Sequence, residues 1–233
     1  MRLALTFSLA TLLLCTAATA AGQTPASKEV AALLGSEEFK YEDDDSPVYA
    51  LAEMGVTAEY AGEIAGVLGD EFWGEVAKAA AYALAGIGAK QYAKDVAKLL
   101  DDKYRRGDAA KALALMGADE YKGRIAQLLD DEDSLVRKDA LLALGILNAR
   151  EYIPRIAKFL KDLSFVSNFA AGALVLMDAG QYARDCVPLV EKAYESGLYL
   201  GADEFHPLAE EQLGKYRARF AQSFLRMRSQ LAK

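Results

Sequence analysis

The chain has few of the residues that build most catalytic and metal sites. Among 233 residues it has one histidine, His206, and two cysteines, Cys15 and Cys186. One histidine cannot hold a metal without carboxylate or thiolate neighbours, and Cys186 is far from it in the chain. No Gly-rich phosphate loop, nucleophile elbow or zinc motif is present. We therefore expect no cofactor, no metal and no catalytic activity.

The chain also lacks an apolar run long enough to favour a membrane-spanning helix. The run from Leu3 to Cys15 follows the basic start Met1-Arg2, but a span needs about 20 apolar residues. Ala18-Thr19-Ala20 then forms a small-x-small cleavage site, which is typical of a secretory signal peptide. We expect residues 1–20 to be removed and the protein to be exported, either to a bacterial periplasm or to the medium.

Cleavage after Ala20 would leave an acidic protein with one thiol. Removal of Cys15 leaves Cys186 without an intramolecular disulfide partner. Removal of Arg2, with no acid lost, takes the formal net charge from −7 to −8. Phosphate contacts supply most of the affinity for nucleic acid, so a protein this acidic is a poor candidate for general nucleic-acid binding.

What the chain does contain is a repeat of about thirty residues. Its clearest marker is a tyrosine column: Tyr60, Tyr92, Tyr121, Tyr152 and Tyr182. Four residues after each tyrosine stands an apolar residue: Ile64, Val96, Ile125, Ile156 and Cys186. Eight residues after it stands another: Leu68, Leu100, Leu129, Leu160 and Val190. Because residues at i, i+4 and i+8 share one face of a helix, each tyrosine opens a helix, which we name helix B.

A second helix, helix A, precedes each helix B and ends at a residue that tolerates left-handed backbone. These stop residues are Gly55, Gly88, Gly117, Asn148 and Asp178. Leucine stands four residues before every stop, where it fills the core: Leu51, Leu84, Leu113, Leu144 and Leu174. Alanine stands five residues before every stop, where it lets a neighbouring helix approach closely. One helix pair cannot bury its own apolar stripe, so we expect the copies to stack around a continuous core.

The fourth copy, from Asp133 to Leu160, resembles the HEAT-like repeats of the phycobilisome-lyase type. The resemblance rests on Val136-Arg137, Ala140, Ala143-Leu144-Gly145 and Ile153-Pro154, and it covers about residues 47–192. It implies an all-α fold, a right-handed α-solenoid of about five two-helix repeats with capping helices. It also implies that helix B lines the concave side and that Arg137 is structural. The Val-Arg pair occurs only in this copy.

The ends of the chain differ from the repeats, as the caps of a solenoid should. We expect an N-terminal helix and acidic linker at 21–46, the solenoid at 47–192, and a loop with a basic capping helix at 193–233. An apolar seam marks that last helix: Leu213, Tyr216, Phe220, Phe224, Met227 and Leu231. The alternatives are a helix that binds a partner's groove, or one that lies on an anionic membrane surface through residues 213–231.

The polar face of helix B carries basic residues from three successive copies. We call them the basic stripe: Lys94, Lys98, Arg124, Arg155, Lys158 and Lys161. On an acidic protein such a stripe is a candidate docking site for an anionic protein surface, and ordinary solvation by long side chains is the simpler alternative. We predict a non-catalytic scaffold that binds another protein. The alternatives are an enzyme like the chromophore lyases and a peripheral membrane adaptor.

Three further groups have simple structural interpretations. Cys186 stands in an apolar column and is expected to pack as a small hydrophobic residue. The carboxylates at Asp101-Asp102, at 130–133 and at 42–45 lack the spacing of a calcium loop, so helix capping and solvated loops are the better interpretation. The tyrosines either pack over the turns or form an exposed aromatic ladder, and packing is the simpler reading.

Overall fold

The computed structural model describes residues 58–69, 74–196 and 210–232. The predicted signal peptide, the acidic linker, the first helix A and His206 lie outside these ranges. Within them the chain forms α-helices and 3-10 turns, without a strand. The α-helices are α1 (Ala61–Gly66), α2 (Gly74–Gly86), α3 (Ala93–Val96), α4 (Arg106–Leu115), α5 (Lys122–Gln127), α6 (Ser134–Ile146), α7 (Ile153–Ile156), α8 (Val166–Leu176), α9 (Ala183–Glu195) and α10 (Glu210–Leu231).

The helices alternate as the repeat predicts. Helices α2, α4, α6 and α8 are A helices, and α1, α3, α5, α7 and α9 are B helices. Each B helix is preceded by a 3-10 turn whose last residue is the repeat tyrosine. These turns are Ala58–Tyr60, Lys90–Tyr92, Asp119–Tyr121, Arg150–Tyr152 and Gly180–Tyr182. The middle B helices also end in 3-10 turns, at Ala97–Asp101, Leu128–Asp130 and Ala157–Lys161.

The stop residues have the left-handed backbone that the sequence predicts. Gly88 and Gly117 have φ of 69° and 66°, and Asn148 and Asp178 have φ of 49° and 52°. The amide after each stop then donates to the carbonyl of the column leucine, as in the bond from Ala149 N to Leu144 O at 3.0 Å. This bond satisfies a carbonyl that the end of the helix would otherwise leave open. The predicted stops are therefore confirmed from Gly88 onward.

The predicted core columns are buried. Leu84, Leu113, Leu144 and Leu174 are all 0 % exposed, and the alanines one residue earlier are buried with them. Successive A helices pack closely, since a Cβ at Gly145 would lie 3.0 Å from Cα of Ala173. Small residues at this contact let α6 and α8 approach each other, as the alanine column predicts.

The A helices are buried on every side over their later turns. Every residue is buried in the stretches 109–116, 139–147 and 169–177. Such a helix needs neighbouring segments packed on all its faces, because packing one face against the core would leave the other faces exposed to water. Neighbouring A helices and the B helices supply part of the cover, and α10 contacts the same layer.

Helix α10 packs on the last helix pair and extends along the stack. It contacts α8 and α9, and its contacts reach α2. Phe220 and Met227 of its apolar seam are buried, whereas Leu231 is exposed. Arg219 Nη2 donates to the carbonyls of Gly145 and Ile146 at 2.7 and 2.9 Å. The helix therefore joins the fifth repeat to earlier ones. No helix in the described part of the chain is long and apolar enough to cross a bilayer.

Replacing Asn148 tests the left-handed stop. Asn148→Ala should lower the free energy of unfolding by about 1 kcal/mol, because alanine tolerates this backbone poorly. Asn148→Gly should leave the stability equal or slightly higher, because glycine adopts positive φ freely. Chemical denaturation of both variants measures the difference, and equal stability of the two would contradict the assignment.

Replacing Met227 tests whether α10 is part of the core. Met227→Ala should lower the free energy of unfolding by about 2–4 kcal/mol, because it opens a cavity at a fully buried position. Leu225→Ala on the same helix is the control, since Leu225 is 61 % exposed and should change stability by about 0.5 kcal/mol or less. Thermal or urea unfolding measures both variants, and equal losses of stability in Met227→Ala and Leu225→Ala would contradict the packing of α10 in the core.

Candidate functional site

The basic stripe divides into paired and unpaired cations. Lys98 Nζ lies 2.8 Å from Asp95 Oδ1, and Arg124 Nη2 lies 2.7 Å from Asp101 Oδ1. Arg155 Nη2 lies 2.5 Å from Asp130 Oδ2. Lys94, Lys158 and Lys161 are exposed and have no carboxylate within ion-pair distance among the described residues. Half of the predicted stripe is therefore already neutralised by the protein's own acids.

The two arginines form a ladder between repeats. Arg124 and Arg155 each stand three residues after their own tyrosine. Their partners, Asp101 and Asp130, each stand nine residues after the tyrosine of the preceding copy. Both carboxylates are highly exposed, so each pair contributes about 1 kcal/mol or less. The two pairs link the B helices of the second, third and fourth copies.

The predicted packing of Cys186 and of the tyrosines is confirmed. The Cys186 side chain is 0 % exposed, and burial raises the pKa of its thiol to about 12. The thiol therefore stays protonated at neutral pH and is a poor nucleophile. Tyr60 is buried, and Tyr92, Tyr121, Tyr152 and Tyr182 are half-buried against the core. A fully exposed aromatic ladder is not present in these repeats.

The carboxylates in the turns between repeats accept hydrogen bonds from backbone amides. Asp102 accepts a hydrogen bond from Tyr104 N, Asp133 from Leu135 N and Asp162 from Ser164 N, each at 2.8 Å. Asp133 is the N-cap of α6, whereas the N-cap residues of α4 and α8, Arg105 and Phe165, make no side-chain capping bond. The predicted capping role is thus confirmed for Asp133, and the other two carboxylates order the turns themselves. In the described part of the chain no cluster of histidine, cysteine and acidic residues could hold a metal ion.

Two arginines at equivalent places in helix A fix the turn at 130–133. Arg106 Nε lies 2.6 Å from Asp131 Oδ2, and Arg137 Nη1 donates to the carbonyls of Asp131 and Glu132 at 2.8 and 3.0 Å. Arg137 thus has the structural role that the resemblance implies. Burial opposes ionisation of Asp131, but hydrogen bonds from Arg106 and from Asp133 N outweigh it and lower its pKa.

A buried polar cluster links three A helices, and sequence reasoning missed it. Lys111 Nζ of α4 lies 3.2 Å from Asp108 Oδ1 and 3.2 Å from Asp139 Oδ1 of α6. Tyr82 Oη of α2 donates to Asp108 Oδ1 at 2.8 Å. A Cβ at Gly107 would lie 2.5 Å from Asp139 Oδ2, so glycine there makes room for the carboxylate. Spacing alone gave no sign that these positions face the interior.

Burial and pairing shift the pKa values of the cluster. Burial opposes the charge on Lys111, but the carboxylates of Asp139 and Asp108 favour it, and its pKa is raised above the ordinary value. Burial raises the pKa of Tyr82, and it also raises the pKa of Asp139 against the pull of Lys111 and Lys138. Lys111 therefore remains an ammonium and Tyr82 a phenol near neutral pH, and their contacts join the three helices across the interior.

A cleft of 630 Å³ opens beside this cluster, between the starts of α4 and α6. Asp108 and Asp139 contribute carboxylates to it, and Tyr104 and Leu135 stand at its sides. Its wall includes Glu132 and Asp133 of the turn that Arg106 and Arg137 hold. The cleft is therefore formed by two successive repeats and has an acidic lining.

Comparison with known proteins bears on the part of the chain that contains this cleft. Residues 101–174 match the family model of HEAT repeats. The match supports a HEAT-like repeat protein, and its all-helical stack is consistent with an α-solenoid. A comparison with curated proteins finds no match. The HEAT match covers α4 to α7 and nearly all of α8, so the ladder, the cluster and the cleft all lie in or beside HEAT repeats.

Replacing Asp131 tests the fixed turn. Asp131→Asn should lower the free energy of unfolding by about 2–3 kcal/mol, because it removes the ionic partner of the largely buried Arg106. Asp130→Asn, at an exposed acid one residue away, should cost about 1 kcal/mol or less. Urea denaturation of both variants measures this, and equal losses would contradict the assignment.

The same pair predicts a pH dependence. Because the folded pKa of Asp131 lies below its usual 3.8, its contribution is present above that value and is lost as pH falls through the folded pKa. The gap in stability between wild type and Asp131→Asn should therefore shrink in acid. A gap that stays constant from neutral pH to the acid limit would show that charge on Asp131 contributes nothing.

Proposed function

We propose that the protein is a non-catalytic scaffold that binds another protein along its HEAT repeats. HEAT repeats generally serve as protein-interaction scaffolds, and the match at 101–174 supports this reading. The proposal includes a right-handed superhelix of about five two-helix repeats of the phycobilisome-lyase type, with helix B on the concave side. It also includes cleavage after Ala20 and export to the periplasm or the medium.

One observation supports the B face as the docking surface. Arg124 and Arg155 are held at equivalent places in successive repeats, while Lys94, Lys158 and Lys161 beside them present unpaired charge to solvent. An ordered surface with available cations suits an anionic protein partner, since such charge steers association and favours complementary surfaces. The alternative is that these lysines are solvated and bind no partner, and charge reversal distinguishes the two cases.

The described chemistry favours a scaffold over a lyase-like enzyme. Three side chains that could act as nucleophile or base are held in unreactive states: Cys186 as a buried thiol, Lys111 as an ammonium and Tyr82 as a phenol. The membrane adaptor has less support, because α10 already directs Phe220 and Met227 into the core. A surface helix needs those apolar side chains to enter the lipid.

Charge reversal of the unpaired lysines tests the proposal. The triple variant Lys94→Glu, Lys158→Glu and Lys161→Glu should lose its crosslinked partner in the exported compartment, because an anionic surface is then repelled. Arg124 and Arg155 are left intact so that the ladder between repeats is preserved.

A matched control reverses the same number of charges elsewhere. Lys192→Glu, Lys215→Glu and Arg217→Glu change exposed residues of α9 and α10 and should leave the crosslinked partner unchanged. If the stripe variant keeps the wild-type partner at the wild-type yield, the B face is not the dock. If both triple variants lose it equally, net charge rather than the stripe governs binding.

A further inference from the structure

Three large apolar side chains stand exposed at the same position of three successive repeats. Tyr104, Leu135 and Phe165 each lie thirteen residues before their stop residue, and they are 86 %, 56 % and 39 % exposed. We call them the apolar row. Scattered exposed apolar residues are normal on a soluble protein, but a row that recurs in register across a stack is a continuous feature.

The backbone beneath the row is fixed by the turns between repeats. Tyr104 N and Leu135 N donate to the turn carboxylates of Asp102 and Asp133. Phe165 follows the turn in which Ser164 N is bonded to Asp162, and its ring meets Phe169 edge-on at 6.1 Å. The row is therefore held in place before any partner arrives, which lowers the entropic cost of binding.

The acidic cleft lies between the first two members of the row. Four carboxylates line it, from Asp108, Glu132, Asp133 and Asp139. The cations in its lining are Lys103 and Arg106, and Arg106 is already bound to Asp131. Asp139 Oδ1 is buried, and Lys111 Nζ at 3.2 Å and Lys138 Nζ at 3.7 Å already lie within ion-pair distance of it. Glu132 and Asp133 are the exposed carboxylates of the lining, so the rim of the cleft favours a donor with positive charge.

We propose that this edge binds an extended segment of a partner protein with apolar side chains at every third position and a lysine or arginine between the first two. Packed helices lie roughly 8–10 Å apart, which sets the spacing of the row. A polyproline II segment rises about 9 Å per turn of three residues, so every third side chain returns to the same face at that spacing. Its apolar side chains then meet Tyr104, Leu135 and Phe165.

The basic side chain of the segment reaches the rim of the cleft. Between the first two apolar contacts its long stem brings the positive charge to the exposed carboxylates of Glu132 and Asp133, while Asp108 and Asp139 stay paired with Lys111. This surface is acidic and apolar, whereas the B face is basic. The two surfaces therefore bind different partners or different parts of one partner. A negative result for one surface does not contradict the proposal for the other.

Peptide binding tests the proposal on the intact protein. The probe is a fluorescein-labelled peptide, Leu-Pro-Lys-Leu-Pro-Pro-Phe, and the readout is fluorescence anisotropy. Wild type should bind it saturably, and Tyr104→Ser or Leu135→Ser should weaken binding about tenfold, because each removes an apolar contact. Leu225→Ser, at an equally exposed apolar residue of α10, is the control and should bind as wild type.

A second arm tests the charge. The peptide with glutamate in place of lysine should bind wild type about tenfold more weakly, because charge-assisted contacts to the cleft are lost. Glu132→Lys changes an exposed residue of the cleft and should leave the fold intact. It should reduce the difference in affinity between the lysine peptide and the glutamate peptide. Absence of saturable binding, equal binding by Tyr104→Ser, or indifference to the charge would each overturn the proposal.

The oligomeric state in solution tests the alternative that a second copy of the protein covers the apolar row. If sedimentation shows a dimer of wild type that Tyr104→Ser and Leu135→Ser convert to monomer, a second copy covers the row and the peptide proposal is overturned. A monomeric wild type that binds the lysine peptide as described supports it.

Discussion

The structure depends on A helices whose later turns are mostly apolar and are covered on every side. Leu113, Leu144 and Leu174 are fully buried, and so are the alanines beside them. No isolated pair of helices can meet this demand, which is why the repeats stack. The same demand explains the close contact at Gly145 and the way α10 contacts α8, α9 and α2.

This constraint also decides where charge can lie. Most charged residues lie on the B face, in the turns between repeats and on the outer side of α10. An exception among the described residues is the cluster of Tyr82, Asp108, Lys111 and Asp139, where each charge has an opposite charge beside it. Pairing of this kind is what makes a buried charge tolerable. The outcome is one edge with a recurring apolar row and an acidic cleft between two of its repeats, and one face on which basic residues of helix B recur.

The regular part of the fold follows from the sequence, because a repeat shows each structural position several times. The stop residues and the leucine column were predicted in this way. The pairing of Arg124 and Arg155 was not, because their aspartates occupy a different column of the preceding copy. The buried cluster escaped because Lys111 and Asp139 are residue types expected in solvent, and only three-dimensional packing places them inside. Comparing the three copies at Tyr104, Leu135 and Phe165 could have shown the apolar row.

Native-state hydrogen exchange tests the central claim most directly. If the A helices are covered on every side, the amides of 109–115, 139–146 and 169–176 should exchange slowest in the protein and share one opening free energy, because no face can open without the stack. Fast exchange along one side of α4, α6 or α8, or separate opening energies for each repeat, would contradict the account.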